Sequence, residues 1–242
     1  MKISLFKSLF DTQNVSYKIE INEALERIRN GSSKDLIEQI RKGNKDLKKK
    51  LPAVLFSGVF TKRNDDSLVE HSGFVCLDFD KYPTVEAMIK ERKRLEDDLF
   101  VYSVFTSPSG NGLKVLVKIP KCDKNEHKLY FKSIGDHFDS DYFDIACSNV
   151  SRVCFESYDP NIFINEDAIE WDKKSEEEGY SVLQKAPILE IKSENEIISR
   201  LMTWWDKNYG LIEGSWNNNL YILASSLCEY GIDEDLTVNH IV

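Results

Sequence analysis

The chain has 242 residues, a formal net charge of −9 and five cysteines. Hydrophobic residues make up 41% and aromatic residues 11% of it, proportions typical of a folded globular protein rather than of a disordered chain. No stretch approaches the roughly 20 apolar residues of a membrane span, and residues 1–7 become polar too early for a signal peptide. We therefore expect a cytoplasmic protein without membrane association. We also expect reduced thiols, because no two cysteines form a CxxC pair.

Charge is distributed unevenly along the chain. Residues 1–150 contain 25 Lys and Arg against 23 Asp and Glu, whereas residues 151–242 contain 7 against 18. The net negative charge therefore does not exclude nucleic acid as a partner of the first part. A basic segment at 41–50 is either a solvated helix face or a patch that contacts a phosphate backbone.

Hydrophobic periodicity and turn residues predict alternating helices and strands before about residue 160. The predicted elements are helices at 20–30, 33–43, 83–95 and 124–138, and strands at 53–56, 73–77, 100–105, 113–119 and 151–156. We expect strands 53–56 and 73–77 to be neighbours, joined by the polar tip 62–67. This order predicts an α+β sandwich with a mixed or antiparallel sheet.

The composition changes after this part. Residues 171–190 are charged, aperiodic and typical of a linker. Two amphipathic helices are predicted at 194–207 and 217–230, and a third begins near Asp233. We therefore predict a domain at 1–170, a linker at 171–190 and a helical module at 191–242. Because two and a half helices seldom bury a core alone, we expect the chain to be a piece of a longer protein.

Asp78 and Asp80 follow the apolar run 73–77. In a strand, side chains alternate between faces, so this spacing directs both carboxylates to the same side. Two acids held this close repel each other unless a cation lies between them, and Mg²⁺ or Mn²⁺ suits carboxylate oxygens best. The alternative is a turn at the strand end, because Asp-Lys-Tyr-Pro is good turn chemistry.

A Gly/Ser turn at 106–112 separates two predicted strands and is followed by Lys114. Its free backbone N–H groups and the Lys114 ammonium suit a phosphate group. The turn is also compatible with an ordinary hairpin loop, because Asn-Gly is a strong turn signal. Metal-binding carboxylates beside a phosphate site suggest phosphoryl or nucleotidyl transfer.

A third acid would complete such a metal site. The segment after the helix at 124–138 offers Asp139, Asp141 and Asp144, and Asp144 lies nearest to the strand that carries Arg152. Arg152 needs an anionic partner if it is buried, either a substrate phosphate or a structural carboxylate such as Glu156.

Zinc is a further possibility for four residues in the middle of the chain. Cys122, His127, His137 and Cys147 could supply ligands, but their spacing matches no compact finger or ribbon. We therefore expect His127 to be structural, and His71 as well.

The motifs in this order resemble those of the archaeo-eukaryotic primase superfamily. The closest likeness is to the VirE N-terminal-type domain of mobile-element and phage-type replication proteins. The superfamily's DxD motif is matched by Asp78 and Asp80, and its later acid by Asp144. Its second motif, Ser-Gly-x-Gly-x-His, is matched by residues 109–114, except that Lys114 stands at the usual His. The likeness covers most of residues 50–165.

This resemblance implies a primase-polymerase-like two-layer core with an RRM-like sheet, followed by a small helical module. It implies a DNA primase or nucleotidyltransferase that transfers NTP or dNTP to a 3′-hydroxyl. The implied partners are a single-stranded DNA template, nucleoside triphosphates and a helicase domain or protein. The implied catalytic residues would hold two Mg²⁺ or Mn²⁺ ions, and they are Asp78, Asp80 and Asp144. The implied nucleotide-binding residues are Ser109, Gly110, Gly112, Lys114 and Arg152.

Two other functions fit the same residues. A non-catalytic module that binds single-stranded DNA or nucleotide is favoured by the Lys114 departure, since an ammonium lacks the hydrogen-bond geometry of an imidazole. A metal-dependent nuclease would also need clustered carboxylates, but it would have no use for a triphosphate site.

Overall fold

The computed structural model describes residues 1–12, 17–176, 194–210, 216–229 and 232. The chain forms two compact units, Met1–Glu178 and Gly179–Val242. Most of the predicted linker and the predicted helix near Asp233 lie outside the described residues.

The first unit combines short antiparallel strands with helices. Its strands are β1 Lys2–Phe6, β2 Tyr17–Glu20, β3 Ala53–Leu55, β4 Gly58–Phe60, β5 Leu68–His71, β6 Phe74–Phe79, β7 Val101–Thr106, β8 Leu113–Lys118, β9 Cys154–Phe155 and β10 Phe163–Ile164. Its helices are α1 Ile21–Asn30, α2 Lys34–Arg41, α3 Val85–Glu96 and α4 Lys124–Phe138. Single 3₁₀ turns lie at Lys45–Lys50, Asp65–Ser67 and Ile145–Cys147.

The strands form two four-stranded sheets and a hairpin. The first sheet has the order β2-β1-β3-β9, the second β10-β7-β8-β6, and β4 pairs with β5. The described pairings are antiparallel. The predicted α+β class is confirmed, and of the mixed or antiparallel sheet predicted, the antiparallel form is found, divided between two four-stranded sheets and a hairpin.

One predicted strand pairing is wrong. The strands at 53–56 and 73–77 are not neighbours, because β3 pairs with β1 and β9 whereas β6 pairs with β8. The cause is the hairpin β4-β5 between them, which buries Val59 and Phe60. The polar tip 62–67 therefore joins β4 to β5.

The second sheet is buried on both faces, and its alternation orients the acidic end of β6. Val75 and Leu77 belong to a core with Phe131 of α4. Phe74, with Cys76 packed beside it, belongs to the other core, which contains residues of the first sheet and of α1. Asp78 has the same parity as Phe74 and Cys76, so it lies at the end of the face that meets the first sheet.

The described residues of the second unit form the helices α5 Glu194–Asn208 and α6 Trp216–Glu229, which confirm the two helices predicted at 194–207 and 217–230. They share a small core with Ile198, Trp205 and Leu227, and the Trp205 indole donates to the Asn219 carbonyl at 2.7 Å. Among the described residues, no helix has the length and apolar character needed to cross a membrane.

Candidate functional site

A short backbone pairing brings a distant acid to the end of β6. Phe79 forms an antiparallel bridge with Phe143. The Asp144 N–H donates to the Asp78 carbonyl at 2.9 Å, and the Asp80 N–H donates to the Tyr142 carbonyl at 2.8 Å. Asp78 and Asp144 therefore face each other across the two segments, although they are 66 positions apart in the sequence.

The register of this pairing is fixed by the Phe143 ring. The ring packs against Phe79 and Phe131, with centroids 5.6 and 5.1 Å apart. It also fills the space beside Gly135 of α4, where a Cβ atom would overlap the ring. The absence of a side chain at position 135 therefore lets Phe143 enter the core and positions Asp144.

Asp144 belongs to a compact group of potential metal ligands. The carboxylate oxygens of Asp78 and Asp144 and the Cys147 sulfur lie within 4.8 Å of one another. Cys147 donates to Asp144 Oδ2 at 2.9 Å, and this bond is the main cause that holds the pKa of Asp144 below its usual value. Burial, reinforced by the same bond, raises the pKa of Cys147 to about 12. Cys147 is therefore a neutral thiol at pH 7 and acts as a hydrogen-bond donor.

Lys114 lies directly opposite Asp78 in the β6-β8 ladder and forms an ion pair with it. Only 14% of the Lys114 side chain and 20% of the Asp78 side chain are exposed. Burial disfavours the ammonium charge, but the neighbouring Cys154 and Asp78 hold the pKa of Lys114 above its usual value. Lys114 thus neutralises Asp78, the first acid of the pair predicted from the sequence.

Asp80 lies at the edge of this arrangement. It is not one of the donors in the 4.8 Å group, and its carboxylate lies 3.9 Å from the exposed Lys81 ammonium. Lys81 has a left-handed backbone with φ of 62°, so the chain turns away immediately after Asp80. The structure therefore brings Asp78 and Asp144 together, with Asp80 beside them.

The Gly/Ser turn lies against the end of β6. A Cβ atom at Gly112 would lie 2.9 Å from the Phe79 carbonyl, so glycine permits this close approach. Inside the turn, the Ser107 N–H donates to the Gly112 carbonyl and the Gly110 N–H to the Ser107 carbonyl. The Ser109 hydroxyl donates to the Asn111 side chain at 2.6 Å. A phosphate bound at this turn would accept hydrogen bonds from the backbone N–H groups that these bonds do not use.

Sequence reasoning missed Arg41, the last residue of α2. Its guanidinium donates to the Ser107 carbonyl at 3.3 Å and to the Tyr158 carbonyl at 2.9 Å. A Cβ atom at Gly110 would lie 3.4 Å from Arg41 Nε, so the side chain covers the Gly/Ser turn. The basic segment 41–50 was the available signal, but nothing in the sequence connected it to a turn so far along the chain.

Arg152 has a different partner from one of those expected. Its Nη2 lies 4.0 Å from Asp144 Oδ2, and the side chain is substantially exposed. Glu156 is buried instead against Arg27, which donates from Nε at 2.6 Å and from Nη2 at 3.2 Å. The Ser33 hydroxyl also donates to Glu156. Of the two partners considered for a buried Arg152, Glu156 is therefore excluded, because Arg27 of α1 takes that carboxylate.

Comparison with known proteins gives two matches. A family model described as BT4734-like, N-terminal domain, matches residues 46–163, slightly under half of the chain. This range contains the acids, the Gly/Ser turn, Lys114 and Arg152. A solved structure of the primase RepB' aligns with 98% of this chain and 78% of that chain, at 13% sequence identity and a TM-score of 0.33. No curated protein matches the chain.

Proposed function

We propose that this chain carries a metal-dependent nucleotidyltransferase site of the primase-polymerase type, which adds NTP or dNTP to a 3′-hydroxyl during DNA replication. The observation that supports it best is the Phe79–Phe143 bridge, which sets Asp144 opposite Asp78. Lys114 and the Gly/Ser turn lie beside this pair. Carboxylates next to cationic and N–H donors are the combination that phosphoryl transfer requires.

The donor set suits one hard divalent cation. Two carboxylates whose oxygens lie within 4.8 Å of the same Cys147 sulfur leave room for an ion between them, and carboxylate oxygens are preferred by Mg²⁺ and Mn²⁺. When bound, such an ion activates a hydroxyl and neutralises charge on the reacting phosphate. Asp80 would complete a site for a second ion only if its carboxylate turned from Lys81 toward Asp78.

The cations around the acids provide the nucleotide-binding part of the proposal. The triphosphate would be contacted by Lys114, Arg152 and the turn residues Ser109, Gly110 and Gly112. Arg41 would hold the turn in place through its hydrogen bond to the turn backbone. A single-stranded template would follow the basic segment 41–50, and its affinity would fall with rising salt concentration. A helicase domain or protein as a partner, a mobile-element origin and the boundaries at residues 170 and 190 stay predictions.

One observation favours a non-catalytic alternative. Asp78 already has a cation in Lys114, so the acids can coexist with less need for a metal ion. A module that binds nucleotide or single-stranded DNA without making bonds would retain the basic residues and use the acids for structure.

Nucleotide binding separates these functions. We would measure the binding of labelled dATP and ATP, with and without Mn²⁺, to the wild type and to Asp78→Asn and Asp144→Asn. Asp141→Asn is the matched control, because Asp141 is exposed and only three positions from Asp144. Metal-dependent binding that both site variants lose and the control keeps supports the proposal. Primer extension with the same four proteins then tests catalysis.

Other outcomes contradict the proposal. If nucleotide or DNA binds equally well to all four proteins and no primer is extended, the non-catalytic module is the better description. Cleavage of a DNA strand in Mn²⁺ without nucleotide would indicate a nuclease instead.

A further inference from the structure

A second group of potential metal ligands lies away from the acids, where the hairpin β4-β5 meets the start of α4. His71 ends β5, Cys122 precedes α4, and His127 lies in the first turn of α4. Their ligand atoms lie within 4.8 Å of one another. Two members of the zinc set considered from the sequence are engaged elsewhere: His137 contacts Asp98 Oδ2 at 2.8 Å, and Cys147 donates to Asp144.

The distances in this group approach those of a tetrahedral zinc site. His71 Nε2 lies 3.0 Å from His127 Nδ1 and 3.7 Å from the Cys122 sulfur. Zinc binds nitrogen at about 2.0–2.1 Å and sulfur at about 2.3 Å, so tetrahedral geometry separates two nitrogens by about 3.3 Å and nitrogen from sulfur by about 3.6 Å. Both measured distances therefore lie within a few tenths of an ångström of the tetrahedral values, and the third, between Cys122 and His127, is at most 4.8 Å.

We propose that His71, Cys122 and His127 form a binding site for a thiophilic divalent cation, with Zn²⁺ as the expected ion. One thiolate and two imidazoles are a donor set that zinc prefers and that Mg²⁺ does not. Three protein ligands leave a fourth position for water. This site is independent of the function proposed above.

The surroundings of the group suit such an ion. His71 and His127 are buried, whereas Cys122 is partly exposed and offers a route of entry. Imidazole binds metals in its neutral form, and the burial of both rings disfavours the charged form.

Binding must rearrange one proton within the group and release another. The Gly73 N–H donates to His71 Nδ1 at 3.0 Å, so the proton of the neutral His71 ring is on Nε2, which donates to His127 Nδ1. Coordination through Nε2 moves that proton to Nδ1 and breaks the Gly73 bond. Cys122 releases its thiol proton to solvent and binds as the thiolate. The metal-free protein thus has a competing hydrogen bond that the ion must replace.

An ion at this position would join the hairpin to α4. Two exposed ion pairs already cross the same junction, Lys121 with Glu70 at 2.6 Å and Lys124 with Asp66. Exposed pairs of this kind contribute little to stability. Coordination would therefore add a link between these two elements that is stronger than either ion pair.

Cobalt titration of the full chain tests the site. Co²⁺ is the probe because thiolate coordination gives a sulfur-to-cobalt charge-transfer band, and competition by Zn²⁺ against a chromophoric chelator gives the zinc affinity. We expect one equivalent of Co²⁺ to produce the band in the wild type, Zn²⁺ to displace it, and Zn²⁺ to raise the unfolding temperature. Cys122→Ser should abolish the band and weaken Zn²⁺ binding at least about tenfold. His127→Gln should weaken Zn²⁺ binding similarly. If His127→Gln does not fold, the result with Cys122→Ser alone tests the proposal.

Cys147→Ser is the matched control, because Cys147 belongs to the acidic group that the structure forms with Asp78 and Asp144. It should retain both the band and the zinc affinity. A band that Cys147→Ser loses and Cys122→Ser retains would assign the metal to the acidic group and overturn the proposal. The absence of a stoichiometric band in the wild type would overturn it as well.

Discussion

The ion pair between Lys114 and Asp78 allows a direct test of whether the acids form a cation site. Replacing Lys114 by Met retains the length and apolar stem of the side chain but removes its charge. Asp78 would then face Asp144 without its own cation, and the exposed Arg152, 4.0 Å from Asp144 Oδ2, would be the cation that remains beside the pair. We expect Lys114→Met to destabilise the metal-free protein and to increase its affinity for Mn²⁺.

The geometry sets the size of both effects. Carboxylate oxygens at most 4.8 Å apart repel by at least about 3.5 kcal/mol at an effective dielectric constant of about 20. Breaking a fully buried ion pair costs about 3–5 kcal/mol. Because Asp78 and Lys114 are 20% and 14% exposed, solvent screens part of this cost, and we expect a loss of about 2–3 kcal/mol. Mn²⁺ at about 100 times its Kd would restore about 2.7 kcal/mol.

Urea unfolding with and without Mn²⁺ measures the stability, and calorimetric titration measures the Mn²⁺ affinity. The matched control is Lys81→Met, because Lys81 is 85% exposed and lies 3.9 Å from Asp80. An exposed pair of this kind is worth at most about 1 kcal/mol, so the control should resemble the wild type in both assays. If Lys114→Met is as stable as the control without metal, or binds Mn²⁺ no more tightly than the wild type, the ammonium does not occupy a cation site.

Two further predictions concern the parts that hold the site. Gly135→Ala places a methyl group where the Phe143 ring lies, so we expect a loss of about 1–3 kcal/mol in urea unfolding and weaker Mn²⁺ binding, because Asp144 moves with Phe143. Asp159 is buried and accepts from Arg92 at 2.8 Å, and Asp159→Asn should cost about 3–5 kcal/mol at pH 7. Burial would raise the pKa of Asp159, but the hydrogen bonds and charge of its partners lower it below 3.8. Its contribution is therefore complete above the unfolded value and lost as the pH falls through the folded one, so the stability difference between wild type and variant should shrink in acid unfolding.

Each of these variants has a control within the chain. Gly43→Ala removes a glycine that has no atoms near its missing Cβ, although its φ of 113° adds backbone strain. It should therefore lower stability without changing Mn²⁺ affinity. Asp167→Asn replaces an exposed carboxylate and should alter stability by less than about 0.5 kcal/mol at pH 7. Equal effects on Mn²⁺ affinity from Gly135→Ala and Gly43→Ala would refute the role assigned to Phe143.

Much of the fold followed from local patterns. The helix predicted at 124–138 coincides with α4, whose capping box of Asp123 and Glu126 is visible in the sequence. The pairing of the strands could not be predicted in the same way. The neighbour of β3 was predicted wrongly because the intervening hairpin has strands of only three and four residues. Short strands carry too little periodicity to be recognised, and their partners are chosen by packing over long sequence distances.

The candidate site shows the same division. The acidic pair that begins at Asp78 and the turn at 109–112 could be recognised in the sequence. Asp144 was chosen among three acids because of its position along the chain. The structure sets Asp144 opposite Asp78 because a phenylalanine fits over Gly135. No local sequence pattern predicts this contact. The contact of Arg41 with the Gly/Ser turn could not be predicted either, since its hydrogen bond to Ser107 is formed only by tertiary packing.

The ion pair of Lys114 with Asp78 has a consequence for how metal and nucleotide would bind together. One ammonium cannot neutralise Asp78 fully and also contact a triphosphate, so a nucleotide that draws Lys114 away leaves Asp78 available to the metal ion. By thermodynamic linkage, nucleotide and Mn²⁺ must then strengthen each other's binding by the same factor. Mn²⁺ titration with and without a non-hydrolysable dATP analogue measures that factor in the wild type. Lys114→Met should reduce it, because in this variant Asp78 is free before the nucleotide arrives. A factor that is the same in both proteins would show that Lys114 does not couple the two ligands.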